Sequence, residues 1–262
     1  MVAVFHDLQH KRHPEYFRWH DLPFWQLLLW ASAHRSRALI APSEATASDL
    51  RHYYGIQSDK IRVIPHGVNE TFFEIAERRS GLKPQKYILT VSTLHPHKNL
   101  ERLIRAFAVF RQTRPDIDLV IIGLHGFVAQ HLMKLVAHLG VDGAVRFTGW
   151  IPQREVYDYF AGALAFVYPS LFEGFGMPVL EALAAGIPSA CSAIQPLVRL
   201  SDGACLHFDP GNETEILQSM HRLVADSSLR AELAIRGPKV ARAYSWQKAA
   251  GATLAILRQA LS

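Results

Sequence analysis

From residue 86 onward, short apolar runs alternate with segments whose apolar positions recur every three or four residues. Tyr87-Ile88-Leu89-Thr90-Val91, Leu119-Val120-Ile121-Ile122, Val145-Arg146-Phe147-Thr148 and Leu164-Ala165-Phe166-Val167-Tyr168 have the length and the β-branched or aromatic content of strands buried on both faces. Between and after them, residues 100–110, 128–139 and 155–161 carry helical spacing. Apolar Ala204-Cys205-Leu206-His207-Phe208 and an amphipathic segment from Trp246 to Leu261 continue the pattern. The alternation predicts an α/β fold with a doubly wound parallel sheet, which takes its ligand at the carboxyl ends of the strands.

Two of the predicted strand-to-helix turns carry chemistry. After the strand at Leu164 comes Pro169-Ser170-Leu171-Phe172-Glu173-Gly174-Phe175-Gly176-Met177-Pro178-Val179-Leu180-Glu181. Pro178 suits the start of a helix, and Gly186 with Pro188 marks its stop, so Glu181 is expected in the first helical turn and Glu173 in the loop before it. Gly174 and Gly176 let a ligand approach the backbone, and a helix N-terminus attracts phosphate. Two acceptor-only carboxylates beside an anion site suit a ligand with both hydroxyls and phosphate, as a sugar nucleotide has. The other turn, Ser92-Thr93-Leu94-His95-Pro96-His97-Lys98-Asn99-Leu100, is expected to set Lys98 at a helix N-terminus, where its charge adds to the dipole. Taken singly, Glu173, Glu181 and Lys98 each read better as solvated turn or helix-end charges, and it is the surrounding residues that turn the reading toward a ligand.

Composition narrows the classes. The 262 residues are 49% hydrophobic, enough for a sizeable core in one or two domains. The formal charge of +5 is too mild and dispersed to argue for nucleic acid, and it suits an anionic substrate or an acidic membrane surface. No apolar run reaches about 18 residues and the N-terminus lacks the form of a signal peptide, so a cytoplasmic protein is expected. Cys191 and Cys205 have no metal-ligand spacing and read as buried free thiols.

The segment from Glu173 to Glu181 resembles the E-x7-E signature of retaining glycosyltransferases of family 4, the group 1 transferases of the GT-B fold. The resemblance implies that Glu173 contacts hydroxyls of the donor sugar, that the loop of Gly174, Phe175, Gly176 and Met177 contacts sugar and phosphate, and that Glu181 holds the ribose hydroxyls. Lys98 before Asn99 matches the lysine that holds the donor diphosphate. Where many members carry an arginine, this chain has His97 or Thr93. Phe147-Thr148-Gly149-Trp150-Ile151-Pro152 is similar to the family's F-x-G turn, whose backbone, here at Gly149, Trp150 and Ile151, flanks the nucleobase. Ile61-Arg62-Val63-Ile64-Pro65-His66-Gly67-Val68-Asn69 is similar to the interdomain linker, with His66 in place of asparagine. Ser43 in Ala41-Pro42-Ser43-Glu44 reads either as part of a family strand end or as an N-cap. Val2-Ala3-Val4-Phe5-His6-Asp7-Leu8-Gln9-His10 resembles the H-D-L-Q turn, which implies that His6 faces the donor sugar. Val198 and Arg199 stand where most members have a Pro-Glu pair, which bears on donor preference.

The resemblance implies a GT-B architecture: a partial N-terminal Rossmann-like domain over 1–70, a complete C-terminal nucleotide-sugar-binding domain over 71–245 and a crossover helix over 246–262. The family has on the order of 100 residues more before the H-D-L-Q turn, most of a Rossmann-like domain. The implied activity is transfer of a hexose, mannose or glucose, from a nucleotide diphosphate sugar to a hydroxyl of a glycan, lipid-linked or small-molecule acceptor. Configuration is retained, Glu173, Lys98 and His6 take part in the chemistry, and neither cofactor nor metal is expected. The alternative is a donor-binding module that needs a partner chain for the remaining half. The apolar stretch Phe24 to Trp30, followed by His34, Arg35 and Arg37, reads as an internal helix of the N-terminal domain or as a contact with the inner face of a membrane.

Overall fold

The computed structural model describes residues 1–126 and 128–261. In chain order its elements are β1 (Val2–Val4), α1 (Gln9–Arg12), α2 (Leu22–Arg35), β2 (Ala38–Ala41), α3 (Glu44–Tyr54), β3 (Ile61–Val63), α4 (Glu70–Arg79), β4 (Tyr87–Val91), α5 (Leu100–Thr113), β5 (Asp118–Ile122) and α6 (Ala129–His138). There follow β6 (Val145–Gly149), α7 (Gln153–Gly162), β7 (Ala165–Tyr168), α8 (Met177–Ala184), β8 (Ser189–Ser192), α9 (Gln195–Ser201), β9 (Leu206–Phe208), α10 (Glu213–Ala225), α11 (Ser227–Ala241) and α12 (Trp246–Leu261). Internal contacts divide them into two units. One holds residues 1–67, 173–176 and the chain from Tyr244 on, and the other holds 68–172 and 177–243.

The first unit is built on a parallel sheet of order β1-β2-β3. Strand alternation sorts its side chains: Leu39 and Ala41 pack with Leu50 and Tyr54 of α3 on one face, while Ile40 meets Ile64 and Ile256 of α12 on the other. The Arg37 guanidinium donates to the Ala260 carbonyl at 2.7 Å, placing a cation on the last turn of α12, where the helix dipole favours it. Ser43 is the N-cap of α3, its hydroxyl accepting from the Thr46 amide at 3.2 Å. In α2 only Ala33 is buried, and Phe24, Trp25, Leu27, Leu28 and Trp30 are exposed.

The second unit holds a six-stranded parallel sheet of order β6-β5-β4-β7-β8-β9. Helices cover both faces, so the strands are apolar throughout, as a doubly covered parallel sheet requires. Ile88, Leu119, Ile121 and Val167 face α5, α6 and α10, through Leu103, Phe107, Leu132 and Met220. A ladder of rings, Phe72, Phe160 and Phe166, runs from α4 through α7 to β7. Strand order reverses between β4 and β7: the chain proceeds outward through β5 and β6, then returns to build β7, β8 and β9 on the other side. Such a reversal opens a crevice at the carboxyl ends of the two central strands. Cys191 and Cys205 are buried free thiols with their sulfurs 3.5 Å apart. Among the described residues no helix is long and apolar enough to cross a membrane.

Candidate functional site

The two chemistry-bearing turns follow β4 and β7, the strands that flank the reversal. After β4 the chain makes a 3₁₀ turn over Pro96–Lys98, and α5 opens only at Leu100, so Lys98 lies just ahead of the helix rather than within its first turn. The Lys98 ammonium donates to the Tyr168 hydroxyl at 3.0 Å and lies 5.5 Å from the centre of that ring. Tyr168 is the last residue of β7 and fully buried, so it fixes the lysine to the neighbouring strand end. Ser92, at the carboxyl end of β4, has a buried hydroxyl oxygen with no hydrogen-bond partner among the described residues.

Asn99 holds these loops together, a role its sequence position does not announce. It is buried with φ 56°, in the left-handed region that asparagine tolerates better than most residues. Its side-chain amide donates to the Pro169 carbonyl at 3.0 Å and the Pro210 carbonyl at 2.8 Å, and its oxygen accepts from Arg102 at 2.9 Å. One side chain thereby ties together the loops after β4, β7 and β9. The Leu171 amide adds a bond of 2.7 Å to the His97 carbonyl. The His95 and His97 rings approach through their Nδ1 atoms at 2.7 Å, which requires a proton on one of the two. Burial and the Lys98 charge both lower the His95 pKa.

The helix after the second turn begins at Met177, one residue ahead of Pro178. Glu181 is therefore its fifth residue and opens the second turn, which corrects the expectation of a first-turn carboxylate. Flanked by buried Leu180 and Ala182, Glu181 is removed from water far enough to lift its pKa to about 7. No described hydrogen bond or ion pair involves its carboxylate.

In the first unit, His6 and the segment Glu173–Gly176 come together. The side-chain hydroxyls of Ser43 and Thr46 donate to the Gly174 carbonyl at 2.5 and 3.2 Å, and the Thr46 hydroxyl also lies 3.2 Å from the His6 carbonyl. Ser43 thus serves both readings, as helix cap and as an anchor of the loop. A Cβ on Gly174 would lie 2.0 Å from the His6 carbonyl oxygen, a clash with backbone that only glycine avoids. Gly174→Ala is expected to destabilise this loop by about 1–3 kcal/mol in thermal or denaturant melts. Gly81→Ala, with open space around its Cβ, should change stability by less than about 0.5 kcal/mol; equal effects of the two would remove the case for close packing at His6. Phe175 is buried edge-on to His66 and Tyr244, with centroids 5.1 and 5.9 Å apart. The His6 ring, exposed, lies 5.4 Å from that of His66, whose pKa is lowered by burial and then by His6.

The remaining sequence candidates lie at the end of β6. Gly149 has φ +67° and turns the chain out of the strand, Trp150 is 71% exposed and Ile151 is half-buried. A Cβ added at Gly149 would lie 3.7 Å from Nε2 of His125, in the loop after β5. Val198 and Arg199 lie on the exposed side of α9.

Residues 72–240 match the family described as Glycosyl transferases group 1, and residues 1–72 match Glycosyltransferase Family 4. The chain belongs to the group 1 glycosyl transferases. It is 26% identical over 261 residues to O-antigen chain mannosyltransferase B of Escherichia coli, covering 97% of this chain and 68% of that protein. Over 240 residues it is 30% identical to the D-inositol 3-phosphate glycosyltransferase of Streptomyces bingchenggensis, covering 85% and 53%. Among solved structures it superposes on sucrose-phosphate synthase of Thermosynechococcus elongatus with a TM-score of 0.82, at 22% identity, over 98% of this chain and 67% of that one. Anabaena HepE in complex with UDP and glucose gives a TM-score of 0.81, at 20% identity, over 98% and 71%. These likenesses show the GT-B fold. The chain spans about two thirds of the length of the first relative and about half of the second. In this group 1 glycosyl transferase, the loop that carries Lys98 and Asn99 is one of the two at the strand reversal, and the other leads toward α8, which carries Glu181.

Proposed function

We propose that the chain transfers a hexosyl group, mannosyl or glucosyl, from a nucleoside diphosphate sugar to a hydroxyl acceptor, with retention of anomeric configuration and without metal or cofactor. The observation that carries this reading is Glu181: a largely buried carboxyl on the helix that follows the reversal loop, with no hydrogen-bond donor to it among the described residues. Such a group is satisfied by ligand hydroxyls, and the vicinal diol of a ribose supplies two. On the second unit, Lys98 and the first amides of α8 take the diphosphate and stabilise the charge that develops as it leaves. The backbone at Gly149, Trp150 and Ile151 borders the base, and His97 contributes to phosphate recognition. On the first unit, Glu173, His6 and the amides of Gly174 to Gly176 are assigned to the sugar hydroxyls. The acceptor oxygen bonds to the anomeric carbon on the face from which the phosphate oxygen departs, and its proton passes to that oxygen. This route needs no protein base, and retention follows from it.

The UDP and glucose bound by HepE and the mannosyltransferase relative support a nucleotide-sugar donor and a glycan acceptor. We assign the reaction to the cytoplasm, at the inner membrane face if the acceptor is lipid-linked. Calorimetric titration of the purified chain with UDP, GDP and ADP is the test. Saturable binding of one nucleotide is expected, followed by turnover of its glucosyl or mannosyl derivative into an α-linked product identified by NMR. No binding of any nucleotide to a folded chain would overturn the reading. A second reading keeps donor binding here and gives turnover only to a complex with a partner chain. The exposed apolar face of α2 favours it, and nucleotide binding without hydrolysis or transfer would select it.

A further inference from the structure

The second unit has a cavity of about 520 Å³ at the other ends of its strands. Pro84, Leu164 and Pro188, which precede β4, β7 and β8, line it, so it lies on the opposite edge of the sheet from the reversal loops. That volume is in the range of small-molecule sites. Its walls are mainly apolar, and two of them, Leu82 and Ile235, are each 61% exposed, an apolar rim facing water.

Two arginines also line the cavity, and neither has a carboxylate partner among the described ion pairs. Arg79, the last residue of α4, donates through Nη1 to the carbonyls of Phe160 and Ala161 at 3.0 and 2.7 Å. Arg230, in α11, donates through Nη1 to those of Leu223 and Val224 at 3.0 and 2.6 Å. Each guanidinium thus neutralises only the partial charge at the end of a helix, α7 or α10. Arg79 goes further: its Nε is buried with no hydrogen-bond partner. Burial lowers its pKa to about 10, offset only in part by the neighbouring Tyr87 phenol. With Nη1 on the α7 carbonyls and Nε out of reach of solvent, Nη2 is the donor that Arg79 has left for an anion in the cavity, and a carboxylate is a matching acceptor.

We infer that this cavity binds a small amphipathic anion, an aliphatic chain ending in one carboxylate, with the carboxylate on Arg79 and Arg230 and the chain along Leu164, Leu82 and Ile235. Nothing in the transferase reading requires such a ligand, so the two stand or fall separately. The probe is octanoate, titrated calorimetrically into the full chain below its micelle concentration, with 1-octanol and octyltrimethylammonium as neutral and cationic counterparts. Saturable one-to-one binding of octanoate is expected, at least tenfold tighter than either counterpart. Arg79→Met and Arg230→Met should each weaken it at least tenfold, and Ala231→Trp, which places an indole in the cavity from an exposed helical position, should abolish it. If Arg79→Met fails to fold because α7 loses its C-terminal cation, Arg230→Met and Ala231→Trp carry the test. Absence of saturable octanoate binding to a chain with a cooperative melt overturns the inference. So does octanol binding as tightly as octanoate, or undiminished binding by the folded variants.

Discussion

Glu181→Gln should make the free chain more stable by about 2 kcal/mol at pH 8, leave it unchanged below pH 4.5, and weaken nucleotide binding ten- to a hundredfold. In the unfolded chain this carboxyl ionises through 4.5, in the folded chain through about 7. Between those values the folded state holds the extra proton, so stability falls as pH rises across the window and is flat above it. The full gap corresponds to roughly 3 kcal/mol, and partial exposure of the side chain reduces it to about 2. Glutamine removes the charge and with it the slope. Denaturant melts at pH 4.5 and pH 8 check the first part, and parallel stability curves for the two proteins would sink it. Nucleotide titration checks the second. Ribose hydroxyls that donate to the carboxylate lower its pKa, so binding near pH 6.5 should release protons and give an apparent enthalpy that varies with the buffer. A stabilising substitution that destroys binding marks a residue retained for a ligand at the expense of the fold.

Most of the second unit was legible from apolar spacing. The strands at Tyr87, Leu119, Val145 and Leu164 and the helices at Leu100, Val128 and Glu155 fall within a few residues of where the pattern puts them. β8 was not legible, because Ser189-Ala190-Cys191-Ser192 has no large apolar side chain. It is nevertheless completely buried, since Ser189 donates to the Ile187 carbonyl at 2.7 Å and Ser192 to that of Tyr168 at 3.4 Å. Small hydroxyl residues that satisfy themselves on nearby backbone pass as core, and hydropathy does not register them. α10 carried a readable signal, with Asn212 capping its first turn and Ile216, Met220 and Leu223 on one face.

For the site, residue type and spacing pointed to Glu173, Glu181 and Lys98, and what they missed is the scaffold. Asn99 reads as an ordinary polar residue beside a lysine, yet its value lies in a left-handed backbone and two carbonyls reached 70 and 111 residues further along the chain. Tyr168 reads as strand core, and only the strand order shows that its hydroxyl meets Lys98. Thr46 reads as a helix residue, while its hydroxyl is spent on the loop carbonyl of Gly174. Long-range polar contacts of this kind leave no period in the sequence.

Lys98→Ala is expected to lower turnover about 10²- to 10³-fold with a smaller change in KM, because its charge is needed most when the diphosphate leaves. Lys98→Arg should not restore it: the planar guanidinium cannot reproduce a point charge held 3.0 Å from the Tyr168 hydroxyl in a space set by that ring. Tyr168→Phe keeps the ring and removes the anchor, so it should cost only about three- to tenfold in kcat, the worth of one ordinary hydrogen bond. Asn99→Gly keeps the backbone conformation but leaves two carbonyls, one buried and one half-buried, unpaired, and should lower stability by about 2–4 kcal/mol as well as activity. The order separates charge from scaffold. If Tyr168→Phe and Lys98→Ala were equally damaging to kcat, the lysine would matter as a structural contact of β7. If Lys98→Ala raised KM alone, it would be a ground-state phosphate contact. Only a kcat loss much larger for Lys98 than for its anchor, with melting unchanged, places the charge on the departing diphosphate.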